Sequence, residues 1–197
     1  MLKLFIAIGM SFYLFTLDSY GQVIQKSLGS SFSMFSNRDF SAWNVLGNGN
    51  WHIFGDQVAI SQGGGWLIGR LPLANFEVQM EYWAGENTQA NLYVRCSDIR
   101  HISSETAYRI NLSDRVGGGY KDGSFDGVAQ VSPSEIRNRW NVLKVSANDS
   151  YLNIWLNGRQ IVSNLYDTRF ASGPFALSVH NGEFRMKSFS VVIPGRW

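Results

Sequence analysis

The stretch over residues 50–83 constrains the fold most, because strand-like segments follow one another there without a helical interruption. A glycine-rich turn at residues 63–66 divides the stretch. Along residues 76–83 two sets of side chains alternate strictly, namely Phe76, Val78, Met80 and Tyr82 against Glu77, Gln79, Glu81 and Trp83. A period of two is typical of a strand with one buried side. The exposed side is polar and aromatic, which is the composition of a surface that handles sugars.

Candidate strands recur at a spacing of roughly 8–12 residues, bounded by Gly, Asn, Asp and Ser. The clearest cover residues 51–54, 57–61, 66–69, 76–83, 90–97, 107–114, 140–147, 151–156, 160–164, 175–180 and 184–193. This pattern predicts an all-β fold, an antiparallel β-sandwich or jelly roll. Between two of the segments, Asn157-Gly158 favours positive φ at both central positions and predicts a type I′ hairpin.

The first residues have the features of a targeting segment. A lysine precedes an apolar run over residues 4–17, which is short for a membrane span. The small residues Ser19 and Gly21 have the spacing that signal peptidase prefers. We therefore predict a signal peptide over residues 1–21 and a single domain over residues 22–197, in a secreted or periplasmic protein with no membrane contact after cleavage. A retained membrane anchor is the alternative.

The charge and cysteine content exclude several classes of protein. The formal net charge is only +2, and basic and acidic residues are interspersed, so we predict no nucleic-acid partner and no anionic membrane surface. Cys96 is the only cysteine and can form no internal disulfide. It is interpreted as a small buried hydrophobe. No oligomeric state follows from the sequence.

Motifs of the common enzyme classes are missing. The chain has no GxSxG elbow, no HExxH pair, no phosphate loop and no dinucleotide fingerprint, so we predict no cofactor. His52, His101 and His180 are too scattered for a recognisable metal site. A glycosidase needs two flanking carboxylates or another acid and base pair. Glu77 and Glu81 point outward on the same side of one strand, and a solvated face is the alternative interpretation.

An ordered set of short motifs resembles the 3-keto-disaccharide hydrolase domain family, which was formerly a domain of unknown function. Residues 92–95 resemble the family's GIFLR, and residues 108–111 stand where the family has YEVQ. Other similar segments cover residues 35–36, 40–43, 49–51, 63–67, 75–78, 127–128, 139–141, 155–158, 173–177 and 180–182. Each motif is weak alone, but their order and spacing cover nearly the whole predicted mature chain. The resemblance implies a concanavalin-like jelly roll.

The resemblance also implies an exported bacterial protein that cleaves glycosidic bonds in disaccharides or glucosides already oxidised at carbon 3. A keto group at carbon 3 makes the hydrogen on carbon 2 acidic. A base can then remove that hydrogen, the aglycone can leave by elimination, and water can add to the resulting enone. This path needs a base near carbon 2 and a donor for the enolate oxygen, and it can use an acid at the leaving group.

Strand alternation selects candidates for these roles on one concave side of the sandwich. His180 is the predicted base, because the ordinary pKa of imidazole lies closest to neutral pH. Arg95 is the predicted stabiliser of an oxyanion or a sugar hydroxyl. A structural histidine at a strand end and an ordinary salt bridge on a sheet face are the respective alternatives.

The chain departs from the family where the YEVQ motif stands. Arg109 and Asn111 replace the acidic residue and the glutamine, which reverses the local charge. Asp126 is the third predicted catalytic residue, because it could restore a negative charge from the glycine-rich loop over residues 115–126. Alternatively, catalysis has been lost and the cleft only binds.

Two functions therefore stay open, an exported hydrolase or lyase acting on 3-keto sugars and a non-catalytic, lectin-like domain. Both require a sugar or glycoside as partner. Trp83 and Tyr93 are the outward aromatics expected to stack on a sugar ring, whereas the tryptophans interpreted as core or rim packing are Trp43, Trp51, Trp66, Trp140 and Trp155. The predicted sugar-binding residues are Asn111, Arg109, Tyr93, Trp83, Asn91 and Glu81.

Overall fold

The computed structural model describes residues 30–35, 38–61, 64–112 and 138–195. The strands in these ranges are β1 (Ser30–Ser33), β2 (Trp43–Gly47), β3 (His52–Phe54), β4 (Gln57–Ile60), β5 (Gly65–Gly69), β6 (Phe76–Ala84), β7 (Gln89–Val94), β8 (Tyr108–Asn111), β9 (Trp140–Asn148), β10 (Tyr151–Leu156), β11 (Arg159–Tyr166), β12 (Ala176–Asn181) and β13 (Phe184–Ile193). No described segment forms a helix long and apolar enough to cross a membrane.

The strands form two antiparallel sheets. The larger sheet has the order β11-β10-β9-β6-β13-β4-β3, with β1 also paired to β13. The smaller sheet has the order β2-β5-β12-β7-β8. Neighbours in each order are often distant in sequence, so the chain crosses repeatedly between the sheets. The predicted all-β, concanavalin-like sandwich is confirmed.

The core lies between the two sheets, where alternate side chains of each strand meet. On β6 the apolar set that the sequence predicted is buried throughout: Phe76, Val78, Met80 and Tyr82. From the smaller sheet the opposing side chains are Leu67, Leu92, Ile110, Leu177 and Val179. The side chains that point away from the core form the two outer faces of the sandwich.

The predicted hairpin joins β10 to β11. Asn157 has a φ of 50° and Gly158 a φ of 80°, and the flanking Leu156 and Arg159 pair directly. These values at both central positions confirm the type I′ turn. The Asn157 side chain accepts a hydrogen bond from the backbone N–H of Val142 at 2.9 Å, which anchors the turn to β9.

Two short strands were missing from the sequence prediction, β1 and β2. Both lie at the borders of their sheets, since β1 pairs only with β13 and β2 only with β5 among the described strands. The predicted signal peptide over residues 1–21 and the glycine-rich loop over residues 115–126 lie outside the described residues.

Candidate functional site

The outer face of the smaller sheet, the side turned away from the core, carries two rows of side chains. Residues that pair directly in an antiparallel sheet share a face, so the register defines each row. The first row contains Leu46, Trp66, Ser178, Asn91 and Asn111. The second row contains Asn44, Ile68, Ala176, Tyr93 and Arg109. Five strands therefore present their outward residues on one surface.

His180 reaches the same surface from the exposed end of β12. Its ring forms a T-shaped contact with Trp66, with 5.7 Å between ring centroids and an interplanar angle of 85°. Tyr93 packs against the same indole at 5.6 Å and 34°. The half-buried Trp66 is thus the centre of an aromatic group that contains the predicted base.

The structure brings five of the predicted site residues to this outer face, namely His180, Tyr93, Asn91, Arg109 and Asn111. The last two occupy β8, one strand beyond Tyr93 and Asn91. Together they supply an imidazole, a phenol, a guanidinium and two amides. Such a set can transfer a proton, stabilise an oxyanion and bind hydroxyl groups.

Arg95 does not join them. Its φ of 56° is a left-handed conformation, which reverses the alternation just after Val94. The side chain is buried, and it donates hydrogen bonds to the carbonyl oxygens of Ala74 and Phe170. The predicted placement of Arg95 on the sugar-facing side is therefore wrong, because backbone carbonyls already occupy its guanidinium.

The same reversal turns Cys96 to the outer side, where it belongs to a small cluster with Ile68, Tyr93, Ala107 and Ala176. Burial raises the pKa of the thiol to about 12. The thiol therefore stays protonated, and Cys96 packs as the small buried hydrophobe that the sequence predicted. Three members of this cluster, Ile68, Tyr93 and Ala176, belong to the second row.

Trp83 and Glu81 lie on the opposite surface of the molecule. Both point outward as predicted, but β6 belongs to the larger sheet. There the Lys187 ammonium lies 3.2 Å from the Glu81 carboxylate, and the Arg185 guanidinium lies 5.1 Å from the centre of a Trp83 ring. Their predicted place beside Arg109 and Tyr93 is wrong, because the two sheets present separate outer faces.

Ser178 lies at the centre of the first row and is fully buried. Its hydroxyl has no partner in hydrogen-bonding geometry among the described residues. It nevertheless lies close enough to Tyr93 to affect the pKa of the phenol. Burial raises the pKa of Tyr93, and the charge of Arg109 and the Ser178 hydroxyl oppose that shift.

Trp66 is the residue that the sequence interpretation missed, since it was assigned to core or rim packing. A usable signal was present, because Leu67 is apolar and buried and strand alternation then places Trp66 on the other side. Asp126, the third predicted catalytic residue, lies outside the described residues. Within the described ranges no three His, Cys, Asp or Glu side chains form a group that could hold a metal ion.

Comparisons with known proteins identify a family and similar folds. A family model described as the 3-keto-alpha-glucoside-1,2-lyase-like domain matches residues 31–192. No curated protein matches the chain.

Solved structures with the same fold include a Parabacteroides distasonis protein provisionally named as a glycosyl hydrolase. It has a TM-score of 0.67 at 16% identity, covering 86% of this chain and 96% of that chain. The carbohydrate-binding module CBM66 of Bacillus subtilis has a TM-score of 0.60 at 18% identity, covering 77% and 95%. A Bacillus subtilis protein with a galectin-like fold has a TM-score of 0.62 at 13% identity, covering 85% and 96%.

Proposed function

Because the chain belongs to the 3-keto-alpha-glucoside-1,2-lyase-like domain family, we propose that it cleaves glycosidic bonds in 3-keto-disaccharides or 3-keto-glucosides. The observation that carries the proposal is the meeting of His180, Trp66 and Arg109 on one outer face. We also propose that the protein acts after export, on the basis of the signal peptide that the sequence predicts.

His180 is the proposed base. It is exposed at the end of β12, so a ligand and solvent can both reach the ring. Its T-shaped contact with Trp66 holds the imidazole next to the indole. A sugar ring lying over that indole would present its carbon 2 hydrogen near the imidazole. Removal of this hydrogen gives an enolate, whose negative charge is centred on the oxygen at carbon 3.

Arg109 is the proposed stabiliser of that enolate oxygen, the role first predicted for Arg95. The guanidinium stands on the outer face, paired across the sheet with Tyr93. A cation placed near a developing oxyanion lowers the barrier most where water is excluded. The replacement of the family's acidic residue by Arg109 is then compatible with catalysis, because Arg95 is committed to backbone carbonyls.

Trp66 is the proposed platform for the sugar. The C–H groups on one face of a pyranose ring pack well on an indole, and the half-buried ring of Trp66 is held by contacts with Tyr93 and His180. Asn91 and Asn111, which are direct partners across β7 and β8, would bind hydroxyl groups of the same sugar.

The second candidate is a non-catalytic carbohydrate-binding domain. One observation favours it, which is that none of the outward residues of the described smaller sheet is acidic. A surface of this kind, with an aromatic platform and amides, can hold a sugar without cleaving it. The similar fold of the CBM66 module is consistent with this alternative.

The test compares turnover and binding on matched sugars. The purified protein is incubated with a 3-keto-glucoside, a 3-keto-disaccharide and the corresponding unmodified sugars, and product is measured by mass spectrometry. We expect cleavage of the keto sugars only, and its loss in His180→Ala. His52→Ala is the matched control, because His52 is exposed on β3 of the other sheet. Binding without product supports the second candidate, and neither binding nor product contradicts both.

A further inference from the structure

We propose that Tyr93 donates the proton that the departing aglycone oxygen takes up, and that Ser178 and Arg109 stabilise the phenolate left behind. The proposal rests on the function proposed above and adds the acid to it. No sequence motif assigns this role, since Tyr93 was predicted only to stack on a sugar.

The position of Tyr93 makes it the partner of the proposed base. Tyr93 and His180 both contact Trp66, with 5.6 Å and 5.7 Å between ring centroids, and the strand register places them on opposite sides of the row that contains Trp66. The hydrogen on carbon 2 and the oxygen on carbon 1 of a sugar are attached to neighbouring atoms. A pyranose over Trp66 can therefore present the hydrogen to one ring and the oxygen to the other.

The outward residues of the described sheet offer few other proton donors. Those that can exchange a proton are His180 and Tyr93, since Arg109 stays charged and the remainder are amides, apolar residues and one serine. The Cys96 thiol is buried in the small cluster that also contains Tyr93. Tyr93 is 5% exposed, so its hydroxyl would act on an atom that descends between Trp66 and Arg109.

The Ser178 hydroxyl also supports a proton-donating role for Tyr93. Its fully buried hydroxyl has no hydrogen-bond partner among the described residues, which is costly unless another state of the site uses it. A neutral phenol needs no extra donor, whereas a phenolate accepts several hydrogen bonds. The Ser178 O–H and the Arg109 N–H groups flank Tyr93 from the two neighbouring strands, β12 and β8. They can both donate once the proton has left.

The charges around the phenol act in opposite directions. Burial raises the pKa of Tyr93, which keeps the group protonated and ready to donate at neutral pH. Arg109 and Ser178 lower it, and Cys96 raises it slightly. Among the described outward residues of the smaller sheet, His180 is the other titratable group, and both it and Tyr93 contact Trp66.

The proposed elimination involves no change in the overall oxidation state of the sugar. His180 takes the proton from carbon 2, and the electrons of that C–H bond form the enolate of the ketone. The enolate then restores the carbonyl at carbon 3 and forms a double bond between carbons 1 and 2, while the bond from carbon 1 to the aglycone oxygen breaks. That oxygen takes the proton of Tyr93. The imidazolium of His180 returns a proton to the phenolate through solvent.

The test uses Tyr93→Phe and two 3-keto-glucosides that differ only in the aglycone. An alkyl alcohol is a poor leaving group and needs an acid, whereas 4-nitrophenolate leaves without one. We expect Tyr93→Phe to lose about 100-fold in kcat on the alkyl substrate and only a few-fold on the nitrophenyl substrate. Circular dichroism checks that the variant folds. Ser178→Ala should show a smaller loss, again confined to the alkyl substrate.

Equal losses on both substrates, or no loss on either, would overturn the proposal while the proposed function stands. Failure of the unmodified protein to cleave either substrate would overturn both. The pH profile of the unmodified protein gives a second measurement if Tyr93→Phe does not fold. Loss of kcat at alkaline pH on the alkyl substrate alone supports Tyr93 as the acid, and identical alkaline profiles for the two substrates contradict it.

Discussion

The guanidinium of Arg95 holds the carbonyl oxygen of Ala74 with two N–H groups, at 2.9 Å from Nε and 2.6 Å from Nη2. A third hydrogen bond runs from Nη1 to the carbonyl oxygen of Phe170 at 3.2 Å. Ala74 lies just before β6 of the larger sheet, and Phe170 lies between β11 and β12. Arg95 therefore ties together segments that lead into both sheets.

We predict that Arg95→Leu lowers the free energy of unfolding by about 2–4 kcal/mol, because two buried carbonyl groups lose charged donors. Urea denaturation measures the change. Arg100→Ala is the matched control, since its side chain is 83% exposed and pairs with the nearby Asp98, and it should change stability by less than about 0.5 kcal/mol. If the Arg95→Leu protein is as stable as the unmodified protein and loses only activity, Arg95 has a role in the site after all.

The hydrogen bond from the Tyr108 hydroxyl to Asp167 predicts a pH dependence. The hydroxyl donates to Oδ1 at 2.9 Å, and Arg169 pairs with Oδ2 at 2.8 Å. Burial acts to raise the pKa of Asp167, but these hydrogen bonds and the Arg169 charge outweigh it and lower the pKa. The unfolded chain therefore binds a proton more readily. The stabilisation of the folded state by ionised Asp167 is complete above the pKa of about 3.9 that the group has in the unfolded chain. It disappears as the pH falls through the lowered pKa of Asp167 in the folded state.

We expect Tyr108→Phe to lose about 1 kcal/mol at neutral pH and part of this acid dependence. Thermal unfolding between pH 2 and about pH 7 would measure both effects. Tyr82→Phe is the control for the acid dependence, because Tyr82 lies on β6, three strands away from β11 in the larger sheet. If the stability of Tyr108→Phe falls at acid pH as much as that of the unmodified protein, the hydrogen bond to Asp167 is not the cause of the pH dependence.

The turn at Gly158 gives a prediction from backbone conformation alone. With a φ of 80° and no atom within 4 Å of an added Cβ, Gly158→Ala meets only conformational strain. We expect a loss of about 1–2 kcal/mol in the free energy of unfolding. Gly64 has the same open surroundings without a positive φ, so Gly64→Ala should be close to neutral. Equal effects of the two substitutions would show that φ is not the cause.

Much of the fold could be predicted because alternation and turn chemistry are local. β10 and β13 were predicted with the bounds that they have, and β6 to within one residue. The short strands β1 and β2 depend on pairing with one distant neighbour, which no local pattern records. The site was predicted less well for a related reason. Alternation after Val94 fails because Arg95 has a positive φ without being a glycine.

Alternation also leaves the choice of sheet open. It correctly turned Trp83 outward from β6 and correctly turned Tyr93 outward from β7, but a sandwich has two outer faces. Which face a strand serves depends on sheet order, and that order follows from pairings far apart in the chain. In the structure His180 and Asn111 do lie on the same face, because their strands, β12 and β8, both pair with β7.

This distinction between the two faces gives the last prediction. Trp66 and Trp155 are both half-buried and outward, but Trp66 lies on β5 of the smaller sheet and Trp155 on β10 of the larger sheet. If the sugar stacks on Trp66, Trp66→Leu should weaken binding of a 3-keto-glucoside at least about tenfold, or 1.4 kcal/mol, by calorimetry. Trp155→Leu should leave the affinity unchanged, because its indole packs against the Lys144 ammonium on the other surface. The opposite result would move the sugar site to the larger sheet.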